Sequence, residues 1–264
     1  MIKVTRSVIP SLFTIANLFC GFIAVKTAMM DHDYIAAGWF IVLGALFDAL
    51  DGIMARLTKS SSEFGVELDS LADVVTFGVG PSAIVYSLFF HQYEGIGLLI
   101  AALPAMLGAV RLARFNVQLV GFDKDYFRGL PIPSAALLVM SYVSFYYLDQ
   151  NPNVSPATYD VGMFVVVISA GLLMVSTIKY DTIPKFSKKA IMAHPVRFAI
   201  FLGAIILLIA TRGSAIFPLF VAFVLYGIIR SVADRSSRFL KEKRASALLD
   251  LDEIDKEERS TFGI

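Results

Sequence analysis

Four aspartates stand close together in an otherwise apolar part of the chain: Asp48, Asp51, Asp69 and Asp73. The first two open the run D-A-L-D-G-I-M-A-R, which ends at Arg56, and the second two lie in G-V-E-L-D-S-L-A-D, which begins at Gly65. Ionisable groups are costly inside a membrane and mark function there by default. Carboxylates brought together without a counterion repel one another. A divalent cation removes that conflict, and an all-oxygen set suits Mg²⁺, Mn²⁺ or Ca²⁺ rather than zinc. The competing reading is a set of helix-end aspartates that reach water or pair with Arg56 and Lys59. One aspartate would fit that reading, but four at these spacings, with Gly and Ala between them, do not.

Two helices would position these groups. At about 100° per residue, Asp48, Asp51, Gly52, Ala55 and Arg56 share an arc of roughly 140°. Gly65, Asp69 and Asp73 fall within about 80° on the next helix. The polar turn 57–64 between them is short, so the helices should be antiparallel neighbours with the carboxylates converging near one membrane face. Gly52, Ala55 and Gly65 leave room for a ligand or for close helix approach. Thr76, Gly78 and Gly80 continue a small, partly polar stretch deeper in the same helix.

The rest of the chain supplies the membrane setting. It has 264 residues, 57% hydrophobic and 17% charged, with a mean hydropathy of +0.71. Soluble domains carry about 25% charged residues. The expected fold is therefore all-α, a polytopic transmembrane bundle. About 20 apolar residues cross the hydrocarbon core, and eight segments are candidates: 11–30, 35–56, 66–90, 95–116, 133–148, 161–178, 196–210 and 216–232. With both termini cytoplasmic, only Lys26 and Arg212 fall on the outer side, whereas the inner side holds Arg111, Arg114, Lys185, Lys188, Lys189 and most other cations. That asymmetry is the one expected of cytoplasmic loops. It places the aspartates at the cytoplasmic face of the cell membrane. Residues 1–233 read as one membrane domain and 234–264 as a cytoplasmic tail, basic first and acidic after. Lys185, Lys188 and Lys189 suit contact with anionic membrane lipids. Cys20 lies in an apolar run with no zinc-like Cys/His spacing. His32 and His91 fall on the outer side, and His194 has no motif around it. No nucleic-acid partner is expected.

The run D-x-x-D-G-x-x-A-R, eight residues, then G-x-x-x-D-x-x-x-D resembles the CDP-alcohol phosphotransferase signature at every fixed position. Four further stretches resemble the bacterial and archaeal phosphatidylserine synthase branch of that family. They are S-L-F-T-I-A-N-L-F-C-G-F (11–22), R-L-A-R-F-N-V (111–117), F-R-G-L-P-I-P-S-A-A (127–136) and S-T-I-K-Y (176–180). The resemblance implies transfer of a phosphatidyl group from CDP-diacylglycerol to the hydroxyl of L-serine, with CMP leaving. It implies Asp48, Asp51 and Asp69 as ligands of two divalent ions, with Asp73 as general base and possible further ligand. Gly52, Ala55, Arg56 and Gly65 would receive the CDP-lipid. It also implies a homodimer.

Candidates for the acceptor pocket lie at the end of the fourth segment. Arg111, Arg114 and Asn116 end the fourth segment on the cytoplasmic side. An arginine fork matches a carboxylate, such as that of serine, but the same residues also serve as topology signals. Glycerol 3-phosphate or inositol phosphate is the rival acceptor. A cation transporter is the rival class, disfavoured because neither broken helices nor inverted repeats are evident.

Overall fold

The computed structural model describes residues 8–58, 62–118, 126–181, 203, 206–208 and 210–233. Among these, five helices are long and apolar enough to cross a membrane: α1 (Pro10–Asp31), α3 (Glu63–Leu88), α4 (Phe90–Val117), α6 (Pro156–Val175) and α7 (Ile216–Ala233). Between them lie α2 (Tyr34–Thr58), roughly 37 Å long at 1.5 Å per residue, and the shorter apolar α5 (Ile132–Tyr147). The chain is a helical, multi-pass membrane protein.

These seven helices correspond to seven of the eight expected segments. The expected segment 196–210 lies largely outside the described residues, as do the 234–264 tail, Lys59, Lys185, Lys188, Lys189 and His194. Helix α6 begins at Pro156, before the expected 161, because proline at the first helical position arrives with its φ already set. Residues such as Leu12, Phe19, Phe22, Trp39, Val161 and Val165 project outward. That is the natural surface of a helix whose surroundings are hydrocarbon.

One feature departs from a purely helical bundle. Strands β1 (Tyr126–Arg128) and β2 (Lys179–Asp181) pair antiparallel, with Phe127 opposite Tyr180. Backbone bonds continue the tie, from Gly129 N–H to Ile178 O at 2.8 Å and from Leu130 N–H to Leu173 O at 3.0 Å. Gly129 has φ +80°, and a Cβ there would collide with the carbonyl oxygen of Met174. Only glycine suits both demands, so the F-R-G-L run joins the approach to α5 to the end of α6.

The bundle interior is organised around a π-helical turn, Val74–Val79, inside α3. Such turns recur at functional sites. Thr76 in this turn is fully buried, and its hydroxyl donates to the Asn17 carbonyl at 2.8 Å. A Cβ on Gly21 of α1 would sit 2.5 Å from Thr76 Oγ1 and 2.7 Å from Thr76 Cα, while one on Gly44 of α2 would sit 2.6 Å from Thr76 Cγ2. Three helices thus meet at one threonine. Gly21→Ala is expected to destabilise the protein by about 1–3 kcal/mol, since backbone atoms must move to admit the methyl. Gly52→Ala is its contrast, because nothing lies within 4 Å of a Cβ there. Thermal unfolding in detergent should show a lowered midpoint for Gly21→Ala alone. Equal midpoints would contradict the close packing of α1 on α3.

Candidate active site

Helices α2 and α3 are antiparallel. Gly44 of α2 abuts Thr76 of α3, and further along, Asp48 and Asp51 meet Asp69. Ser62 starts α3: its Oγ accepts the Gly65 N–H at 3.1 Å, filling one of the orphan donors at the helix end. A Cβ on Gly65 would lie 3.2 Å from that same Oγ, so the glycine accommodates the cap. The Glu63–Asp73 stretch packs on α1, and α1 also packs along α2, so the first helix stands behind both aspartate pairs.

Asp48, Asp51 and Asp69 each present a carboxylate oxygen, and these oxygens all lie within 4.8 Å of one another. Asp51 is buried, and Asp48 and Asp69 are half-buried. Asp69 Oδ1 is a buried acceptor without a hydrogen-bond partner. An unpaired buried acceptor beside two more carboxylates fits a divalent cation, which accepts oxygen ligands and offsets their charge. Gly52 sits beside this group with open space where a side chain would be.

Asp73 lies outside the close triad but within electrostatic reach of all three members. It is buried, and Asn17 Nδ2 donates to its Oδ1 at 3.2 Å. A second bond from α1 reaches the triad: Thr14 Oγ1 donates to Asp51 Oδ2 at 2.9 Å. The motif spacing contains neither partner. The available signal was the arc shared by Thr14, Asn17 and Gly21, about 60° wide, on a helix otherwise apolar around it.

The remaining expected residues divide. Arg56 is exposed and turns back along its own helix, its Nε donating to Gly52 O at 3.0 Å. Ala55 is half-buried. Arg111 is buried, 6% exposed, and lies within electrostatic reach of Asp73 and Arg114; its Nε has no partner. Arg114 Nη1 donates to Val175 O at 3.1 Å, tying α4 to α6, while its Nη2 is buried and unpartnered. A buried guanidinium beside Asp73 and a half-buried one next to it, each with a buried idle donor, are suited to holding an anion. Asn116 does not join them: its Nδ2 donates to Ser70 Oγ at 3.0 Å and to Glu67 Oε2 at 3.4 Å, linking α4 to α3. Ser70 and Glu67 had not stood out in the sequence, because each lies between motif positions.

Comparisons with known proteins bear on this geometry. A family model described as CDP-alcohol phosphatidyltransferase matches residues 7–175. A CDP-diacylglycerol–serine O-phosphatidyltransferase of Helicobacter pylori is 36% identical over 222 residues, 84% of this chain and 90% of the relative. The Bacillus subtilis protein of the same name is 36% identical over 184 residues, 69% of this chain and 93% of the relative. An archaetidylserine synthase of Methanothermobacter thermautotrophicus is 35% identical over 184 residues, 69% of this chain and 73% of the relative.

Proposed function

The chain belongs to the CDP-alcohol phosphatidyltransferase family, and from that premise we propose that it moves a phosphatidyl group from CDP-diacylglycerol to L-serine. The observation that carries the reading is the convergence of Asp48, Asp51 and Asp69, one of whose oxygens is a buried acceptor without a partner, with the idle donor of Arg111 in electrostatic reach of Asp73. The names of the relatives support serine as acceptor.

In this reading Asp48, Asp51 and Asp69 would hold Mg²⁺ or Mn²⁺, as a pair of ions, and Asp73, outside the triad, serves as the base. When bound, the metal would supply positive charge that offsets the diphosphate and the charge developing on the departing CMP. The residues themselves do the rest. Gly52 admits the CDP end of the donor into the space beside the triad, with Ala55, Arg56 and Gly65 bordering it. Arg111 and Arg114 hold the serine carboxylate, and Asn116 braces α4 against α3 at the pocket. Asp73 takes the proton of the serine hydroxyl. The hydroxyl oxygen then bonds to the phosphorus bearing diacylglycerol, the bond from that phosphorus to the CMP oxygen breaks, and CMP leaves with the electron pair. Burial of Asp73 and Arg111 keeps competing water away from this step.

The Lys and Arg asymmetry supports a cytoplasmic active site in the cell membrane with both termini inside, and the family supports a homodimer. The test is CMP release by purified protein given CDP-diacylglycerol, Mn²⁺ or Mg²⁺, and one acceptor at a time. L-serine should drive release, glycerol 3-phosphate and inositol phosphate should not, and EDTA should stop it. Reaction with glycerol 3-phosphate and not serine would keep the family and reject the acceptor. Full turnover in EDTA would reject the metal.

A further inference from the structure

Helix α1 lies outside the aspartate motif yet supplies side-chain hydrogen bonds to both halves of it. Thr14 and Asn17 are 4% and 0% exposed, so neither bond competes with water. The Thr14 hydroxyl has a single proton and two acceptors in range, Pro10 O at 3.3 Å and Asp51 Oδ2 at 2.9 Å. The shorter, charge-assisted bond takes it. That bond holds one oxygen of Asp51 from behind and limits rotation of the carboxylate, which contributes an oxygen to the cation-binding group. Asn17 is oriented through its amide nitrogen, because its Oδ1 is buried without a hydrogen-bond partner. An ionised carboxylate only accepts, so the amide nitrogen must face Asp73. Its Oδ1 faces the other way, toward Gly44, where a Cβ would lie only 2.9 Å from it. The Thr76 hydroxyl on the Asn17 carbonyl, and the glycine contacts of Gly21 and Gly44 with Thr76, fix α1 in the register that both bonds need.

We propose that Thr14 and Asn17 are the positioning residues of the acidic centre: Thr14 sets Asp51 for cation binding, and Asn17 engages Asp73 Oδ1 so that Oδ2 receives the proton of the acceptor hydroxyl. The inference rests on the function proposed above. It separates two roles that one helix face performs through two bonds. Groups that orient a metal ligand change metal affinity by about 10–100-fold when removed. Groups that orient a base leave metal affinity alone and change turnover, since a small misplacement of a reacting group costs up to about 100-fold.

The test uses the full chain in nanodiscs, with Mn²⁺ affinity read from the electron paramagnetic resonance of free Mn²⁺, and kcat and KM read from CMP release at saturating Mn²⁺. Thr14→Val should weaken Mn²⁺ binding roughly 10- to 100-fold, and Thr14→Ser, which keeps the hydroxyl, should restore most of it. Asn17→Leu should leave Mn²⁺ affinity and the serine KM within about threefold while kcat falls roughly 10- to 100-fold. Should Thr14→Val fail to assemble, Thr14→Cys keeps the volume with a much weaker donor and reads the same bond. Wild-type protein that binds no Mn²⁺ would sink the proposed function itself. With the wild type active, unchanged Mn²⁺ affinity in Thr14→Val, or equal loss in the Ser and Val variants, overturns the role of Thr14. A fall in Mn²⁺ affinity with Asn17→Leu, or an unchanged kcat, overturns that of Asn17.

Discussion

Asp69→Asn should lower CMP release by roughly 10²- to 10³-fold, the usual cost of removing a group that organises transition-state charge, while the protein keeps its fold. Asp69 is the one member of the triad contributed by α3, and its Oδ1 is buried with no hydrogen-bond partner. Asparagine preserves its shape and removes the charge. In EDTA the variant should unfold at the same temperature as wild type or higher, because one of several mutually repelling carboxylates is gone. That sign separates a lost metal ligand from a damaged fold. With Mn²⁺ added, the wild type should be stabilised by the bound ion and the variant much less so. Wild-type turnover by Asp69→Asn would remove this residue from the metal set, and a lowered unfolding temperature in EDTA would assign it a structural role instead.

The second large effect concerns Arg111. Its guanidinium is buried against Phe115, with Cζ 6.0 Å from the ring centroid, and its Nε is unused by the protein. A buried cation that keeps a donor idle is arranged for an anionic ligand. Lysine carries the charge but not the planar fork, so Arg111→Lys should lose paired hydrogen bonds to a carboxylate. Charge-assisted bonds are worth about 1.5–3 kcal/mol, so the serine KM should rise by roughly 10-fold or more while the KM for CDP-diacylglycerol changes little. A rise in the donor KM instead would show that Arg111 holds the diphosphate. Arg114→Lys is a different experiment, because Arg114 also ties α4 to the Val175 carbonyl. It should lower thermal stability as well as serine use.

Several of these features were legible in the amino-acid order. Apolar runs of membrane-spanning length implied the helical class, and the periodicity of 48, 51, 52, 55 and 56 against 65, 69 and 73 implied two facing arcs of acidic and small residues. Both are local properties: length and angular placement follow from the helical repeat alone. Partner choice is not local. Thr14 meets Asp51 across 37 positions and Asn17 meets Asp73 across 56, and those meetings depend on where α1 settles against the π turn at Thr76. Arg56 could equally have turned to the carboxylates, yet its Nε reaches the Gly52 carbonyl in the same helix. Asn116, grouped with the arginines by position, joins Ser70 and Glu67 instead. The pairing of β1 with β2 joins two loops more than 50 positions apart, and no periodicity foretells it. Helical spacing determined which side chains share a face; only the packing of glycines against Thr76 decided which faces meet, because close approach is set by atoms from three helices at once.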